Sequence, residues 1–104
     1  CLAEVRAGAS IKGIDQARQR FLTEHGFPVP PYAGVGHNLG ISVHEMPRIG
    51  PEGEGVLQAG NVITVEPSIK AGPWGGISVE DMLVVTDTGY ELLTTAPREL
   101  YVKE

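Results

Sequence analysis

Hydrophobic residues recur at helical spacing in the first quarter of the chain. Apolar positions three and four residues apart predict the end of one helix within residues 2–9. Ser10 is a typical N-cap for a second helix, and Gly26 followed by Pro28 is a typical stop. The apolar stripe of this second helix consists of Ile14, Ala17, Phe21 and Leu22. Its polar face consists of Asp15, Arg18, Arg20 and Glu24.

The pattern changes to that of β-strands in the second half. Residues 61–66 form a β-branched run bounded by glycine and proline, and residues 77–86 form a longer one. A turn signal at residues 87–89 leads into a returning strand at residues 90–93. Helices therefore precede strands, which predicts an α+β fold with an antiparallel sheet covered by helices.

Two segments rich in glycine and proline, residues 46–60 and 67–76, are expected to be loops. The length of 104 residues fits one small domain. The chain does not begin with Met, and its first residues look like helix interior, so we expect a piece of a longer protein.

Composition narrows the expected partners and location. Eight basic and thirteen acidic residues, with no basic cluster, argue against nucleic acid as a partner. The apolar runs are too short to cross a bilayer, so no membrane partner is expected. A single cysteine excludes an internal disulfide framework and is typical of the reducing cytoplasm, where we expect the protein to act.

Two glutamates are the first candidates for chemistry. Side chains alternate faces along a strand, so Glu66 and Glu80 share a face if their strands pair antiparallel around residues 67–76. Two neighbouring carboxylates repel each other, and a divalent cation between them would remove that conflict. The alternative is that both are solvated surface residues.

Two histidines and a tryptophan are further candidates. His37 lies among glycines, and histidine with carboxylates suits Mn, Co, Zn or Fe. The alternative is a structural histidine. His44 either stabilises a developing oxyanion or is a surface residue, and Trp74 either lines a pocket that binds substrate or caps the core. His25, near a helix end, is expected to be structural.

The motifs occur in a specific order. Gly-His-x-x-Gly at residues 36–40, with a second His seven positions after the first, precedes Thr-x-Glu-Pro at residues 64–67 and Glu-Asp at residues 80–81. A Val-Thr-x-x-Gly-Tyr-Glu-Leu-Leu-Thr hairpin at residues 85–94 follows. The chain thereby resembles the pita-bread metallopeptidases, which include methionine aminopeptidase, aminopeptidase P, prolidase and the creatinase relatives.

The resemblance implies a function and a place in the fold. Residues 1–104 would be the C-terminal half of the catalytic domain. His37, Glu66 and Glu80 would hold metal, with Glu80 bridging two divalent ions. Glu66 would also be the general base on the attacking water, and His44 would bind substrate or stabilise the tetrahedral intermediate. The implied reaction is hydrolysis of the N-terminal peptide bond of a peptide substrate, as in an Xaa-Pro dipeptidase or aminopeptidase.

The sequence also departs from the family pattern. Two aspartate ligands of the family come from a hairpin in the N-terminal half, and none of the three aspartates here lies in such a hairpin. We therefore expect the isolated chain to be inactive. A half domain also exposes sheet that its other half would cover, so we expect the isolated chain to associate into a homo-oligomer. Ala33, Ser78 and Lys70 replace a histidine, an arginine and a tyrosine of proline-specific members. These changes keep open a non-catalytic peptide-binding or scaffold role. The Gly-Gly-x-x-x-Glu-Asp stretch and Pro47 favour the prolidase and aminopeptidase P side.

Overall fold

The computed structural model describes residues 1–31, 33–70 and 72–103. A short 3-10 helix, Leu2–Glu4, precedes the helix α1, Ile11–Glu24, and a second 3-10 helix is Gly72–Trp74. The described residues also form seven strands. These are β1 (Gly36–Asn38), β2 (Glu45–Ile49), β3 (Val62–Val65), β4 (Ser68–Lys70), β5 (Gly76–Ser78), β6 (Asp81–Val85) and β7 (Tyr90–Leu92).

Five strands make one antiparallel sheet in the order β2-β1-β3-β6-β7. The strands β4 and β5 form a separate antiparallel hairpin between β3 and β6. One helix, α1, packs against the sheet through β2. The predicted α+β class with an antiparallel sheet is confirmed, although α1 is the single α-helix in the described residues where several were expected.

The helix α1 begins and ends where the sequence predicts. The Ser10 side chain accepts a hydrogen bond from the Gly13 N–H at 3.2 Å, and Gly26 has a left-handed φ of 74° just beyond the end. Ile14 and Leu22 of the predicted stripe are buried, whereas Phe21 is 59% exposed. Only some of the residues of the predicted apolar stripe therefore pack into the core.

Two residues assigned to the polar face of α1 are buried instead. Asp15 is 0% and Arg18 is 3% exposed, and their charged groups approach to 2.8 Å. The Gln19 amide also donates to Asp15 Oδ2 at 2.6 Å. The polar face prediction was wrong for this pair because each charge finds its counterion one helical turn away, which lowers the cost of burial.

The helix predicted within residues 2–9 is reduced to one 3-10 turn, Leu2–Glu4. Beyond it the backbone pairs with distant segments. Ala7 N–H donates to Thr86 O at 2.9 Å, and Gly8 N–H donates to Leu57 O at 2.8 Å. These long-range bonds replace the local i to i−4 bonds that a helix would make.

The predicted loops contain regular structure. The strand β2 lies inside residues 46–60 except for its first residue, and β4 lies inside residues 67–76. The single strand predicted at residues 77–86 is divided between β5 and β6, which belong to different sheets. The strand predicted at 61–66 is confirmed as β3, and the one at 90–93 as β7.

The two faces of the sheet differ in chemistry. In β6, Asp81, Leu83 and Val85 are buried on the α1 face, and the alternate residues point to the other face. The buried core consists of Val5, Ile11, Ile14, Val35, Ile49, Leu57, Ile63, Val65, Leu83 and Val85. Within the described ranges, no helix combines the length and apolar character that crossing a bilayer requires.

Candidate metal centre

The candidate side chains come from neighbouring strands. His44 precedes β2, His37 lies on β1, Glu66 follows β3 and Glu80 precedes β6. Since these strands are adjacent in the order β2-β1-β3-β6, the four side chains lie next to one another across the sheet. The register of the strand pairs explains the position of the two glutamates. Val65 faces Asp81 in one sheet and Ser68 faces Ser78 in the other, so both registers bring Glu66 opposite Glu80 at the junction.

Three of these side chains converge. His37, Glu66 and Glu80 each offer one ligand atom, and these atoms lie within 4.8 Å of one another. His37 Nε2 lies 3.2 Å from Glu66 Oε1. His37 is buried, Glu66 is half-buried and Glu80 is exposed, so the cluster opens from the sheet towards solvent.

The hydrogen bonds of His37 show that this cluster fits a cation. His37 Nδ1 lies 2.9 Å from the Asn38 carbonyl, which only accepts, so Nδ1 carries the proton. In the neutral imidazole Nε2 is then a lone-pair atom facing the Glu66 carboxylate, with the Glu80 carboxylate close by. A cation among these three acceptors would relieve the repulsion between them, and one imidazole with two carboxylates suits a divalent transition metal.

Thr64 links two members of the cluster. Its hydroxyl accepts from the His37 N–H at 3.2 Å and donates to Glu66 Oε1 at 3.4 Å. Such contacts orient a ligand before the metal binds. The sequence carried a signal for Thr64, because it lies two residues before Glu66 and so on the same strand face.

His44 lies beside the cluster and faces a cavity. The rings of His37 and His44 meet edge to face, with their centroids 4.4 Å apart. His44 is exposed and, with His37, Glu66, Arg48 and Ser78, lines a cavity of about 850 Å³. A cavity of this size accommodates a short peptide. The imidazole of His44 is therefore placed to contact a ligand bound next to His37.

The structure does not bring Trp74 to this cavity. Trp74 ends the 3-10 helix between β4 and β5, is 91% exposed, and is absent from the residues that line the cavity. Its role in substrate binding stays a prediction. Asp81, which adjoins Glu80, is buried on the opposite face and binds Thr94, which ends the hairpin motif, and Arg98, which the sequence analysis did not single out.

One imidazole and two carboxylates on neighbouring antiparallel strands define a class, the metalloproteins with mixed nitrogen and oxygen ligands. Comparison with known proteins then gives the family. The model of metallopeptidase family M24 matches residues 1–87, and the chain belongs to that family. The resemblance to the pita-bread peptidases is therefore confirmed.

The relatives include prolidases and aminopeptidases. The chain is 36% identical over 95 residues to an Xaa-Pro dipeptidase of Pyrococcus furiosus, covering 91% of this chain and 27% of that protein. The X-Pro aminopeptidase of Thermotoga maritima superimposes with a TM-score of 0.88 at 34% identity, covering 98% of this chain and 29% of its own. A methionine aminopeptidase of Rickettsia prowazekii is less similar, with a TM-score of 0.72, 27% identity, and coverage of 85% of this chain and 44% of its own.

These values show how much of its relatives the chain spans and which subgroup of the family it resembles more. It spans little more than a quarter of the length of the Xaa-Pro relatives. Its greater similarity to the Xaa-Pro peptidases than to the methionine aminopeptidase agrees with the subgroup that the sequence favours.

Proposed function

We propose that the chain provides three ligands of a two-metal site that hydrolyses N-terminal peptide bonds, as in an Xaa-Pro dipeptidase or aminopeptidase. The observation that carries this proposal is the convergence of His37, Glu66 and Glu80 within 4.8 Å, beside a peptide-sized cavity that His37 and Glu66 line. Membership of the M24 family supports the same reading. The peptide substrate would lie in the cavity, with its scissile bond next to His37.

The residues take distinct roles in this proposal. His37, Glu66 and Glu80 hold divalent ions, of which Mn, Co, Zn and Fe fit the donor set. When bound, two such ions polarise the scissile carbonyl and acidify the attacking water. Glu66 would accept a proton from the attacking water, because its carboxylate lines the cavity in which the substrate would lie. His44 donates to the carbonyl oxygen as negative charge develops there.

The isolated chain is expected to be inactive. Three ligands cannot fill the coordination of two ions, and residues 1–104 supply no aspartate pair to complete it. We therefore propose that this sequence functions as the C-terminal half of a catalytic domain, in a polypeptide of the length of its relatives. We also place that polypeptide in the cytoplasm, since the single cysteine fits a reducing compartment.

The test has two stages. The 104-residue chain should bind manganese(II) or cobalt(II) in a calorimetric titration, and His37→Ala should lower the affinity at least about tenfold because it removes a ligand. His25→Ala is the matched control, since His25 is exposed and stacks on Phe21 at the end of α1. In a full-length polypeptide that carries this sequence, His37→Ala should abolish metal-dependent cleavage of Xaa-Pro dipeptides. Turnover that survives His37→Ala would contradict the mechanism.

A second candidate function is a non-catalytic peptide-binding domain. Ser78 favours it, because it replaces an arginine of the proline-specific members and so brings no positive charge to this position. Its hydroxyl lies within 3.4 Å of the main-chain oxygens of Glu66 and Pro67. The two functions differ in one measurement. A binding domain would retain peptide affinity in the absence of metal, whereas the hydrolase requires metal for turnover.

A further inference from the structure

The residue after Glu80 is a buried carboxylate on the other face of the sheet. Asp81 is 7% exposed and points to the α1 side, together with Leu83 and Val85 of the same strand. A buried carboxylate is costly unless it is paired and hydrogen-bonded. The partners of Asp81 therefore show what this position requires.

Those partners come from the segment that follows β7. Thr94 Oγ1 donates to Asp81 Oδ1 at 3.1 Å, and Arg98 Nε lies 3.0 Å from Asp81 Oδ2. Thr94 Oγ1 also accepts from the Met82 N–H at 3.3 Å. Residues 93–103 lie outside any helix or strand, and these side-chain contacts with Asp81 help to attach the segment to the sheet.

The backbone of β6 is held at the same place. The N–H groups of Leu93 and Thr94 both donate to Met82 O, at 2.8 and 3.3 Å. On the side of β6 that faces β3, Asp81 is paired with Val65. Glu80 lies one residue beyond this anchor, between the end of β5 and the start of β6, and belongs to neither strand.

We infer that Arg98 is a positioning residue which, through Asp81, holds Glu80 at the distance from His37 and Glu66 that a shared cation requires. The inference rests on the proposed metal site. Arg98 balances the charge of Asp81, so the carboxylate of Asp81 adds no uncompensated repulsion beside the two glutamates. Without Arg98 the buried charge would draw the start of β6 towards solvent and displace Glu80.

Cobalt(II) titration of the 104-residue chain tests this role, because visible absorption reports both affinity and coordination geometry. Arg98→Gln should raise the dissociation constant about tenfold and alter the absorption spectrum, as loss of a group that orients a ligand does. Arg98→Lys keeps the charge but loses the planar fork, and it should recover part of the affinity. Arg20→Gln, at an exposed position of α1, is the matched control and should bind as the wild type does.

Thermal unfolding in a chelator separates positioning from folding. A merely structural role for Arg98 would lower the unfolding midpoint and leave the spectrum and affinity of the folded fraction unchanged, which would overturn the inference. Should Arg98→Gln not fold, Thr94→Val removes the other side-chain partner of Asp81 and is measured in the same way. His37→Ala distinguishes the two proposals. If His37→Ala leaves cobalt binding intact, the metal site itself is wrong. If His37→Ala abolishes cobalt binding but Arg98→Gln leaves the affinity for cobalt unchanged, only the positioning role is wrong.

Discussion

The imidazole of His37 is held in one orientation before any ligand arrives. Its Nδ1–H donates to the Asn38 carbonyl, and its backbone N–H donates to the Thr64 hydroxyl. Nε2 is left facing Glu66. A ring fixed in this way loses little conformational freedom when a metal binds, which favours affinity. The same hydroxyl touches Glu66, so one side chain orients two ligands.

A second residue-scale feature is the buried ion pair of α1. Arg18 and Asp15 approach to 2.8 Å without the alignment of a hydrogen bond, and the three guanidinium nitrogens have no hydrogen-bond partner among the described residues. Arg18 also lines an apolar cavity of about 580 Å³ between α1 and the sheet. The pair is therefore balanced in charge but poorly satisfied in hydrogen bonds.

Removal of one member of this pair should be costly. Arg18→Ala is expected to lower the free energy of unfolding by about 3–5 kcal/mol, because it leaves the Asp15 carboxylate buried without a counterion. Arg20→Ala, on the exposed face of the same helix, should change it by no more than about 0.5 kcal/mol. Urea unfolding followed by circular dichroism measures both values. Equal stabilities of the two variants would show that Arg18 does not stabilise the buried carboxylate of Asp15.

At the scale of the elements, the glutamates lie at a break between two sheets. The larger sheet ends at the pair Val65 and Asp81, and the β4–β5 hairpin begins at the pair Ser68 and Ser78. Residues at the break keep the common register but make no strand pairing of their own. This arrangement frees two side chains from the ladder while leaving them opposite each other, which is a suitable geometry for binding one ion.

Close approach of β1 and β3 is the second requirement. A Cβ on Gly36 would overlap the Thr64 carbonyl oxygen, so the strands can pair at this point only because residue 36 is glycine. The close approach also brings His37 to the Thr64 hydroxyl. The glycine therefore contributes to the site although it binds nothing itself.

Gly36→Ala should separate these strands. We expect a loss of stability of about 1–3 kcal/mol or more, as overpacking causes, together with weaker metal binding. Gly89→Ala is the matched control, since a Cβ there would meet no atom within 4 Å. Thermal unfolding and metal titration of both variants test the expectation. A Gly36→Ala chain with wild-type unfolding and wild-type affinity would contradict it.

At the scale of the whole molecule, an apolar groove remains uncovered. It is the cavity lined by Arg18, to which Phe21 of α1 and Ile77 of β5 also contribute, and Ile77 is 54% exposed. Large exposed apolar surfaces promote association. The net charge of −5 opposes association only weakly at physiological ionic strength, where screening is strong.

We expect the isolated chain to form a homodimer or higher oligomer through this groove. Ile77→Lys should shift the population towards monomer, because it places a charge in the apolar groove. Val43→Lys, at an exposed apolar position outside the groove, should leave the population unchanged. Sedimentation velocity over a range of concentrations measures the outcome. A wild-type chain that sediments as a single monomeric species would refute the expectation.

Local signals explain what was predictable. The N-cap at Ser10 and the strand β3 were recognised because capping and β-branched runs act over a few neighbouring residues. The strand β2 was missed because Pro47 and Arg48 lack a strand pattern, and pairing with β1 makes the strand. Likewise the burial of Asp15 and Arg18 depends on which segments pack over α1, and the helical periodicity of the sequence does not specify those segments.

Side-chain alternation along the two predicted strands was enough to predict, from the amino-acid sequence itself, that Glu66 and Glu80 share a face if those strands pair antiparallel, because side-chain direction follows directly from the backbone period. Apart from the family resemblance, it was the tertiary structure that decided that His37 joins them, because the order β1-β3-β6 brings together segments that are distant along the chain. It also decided that Arg98 meets Asp81, since no local pattern specifies a contact across 17 positions. Such contacts depend on the packing of the whole sheet, and that packing is a property of all its strands together.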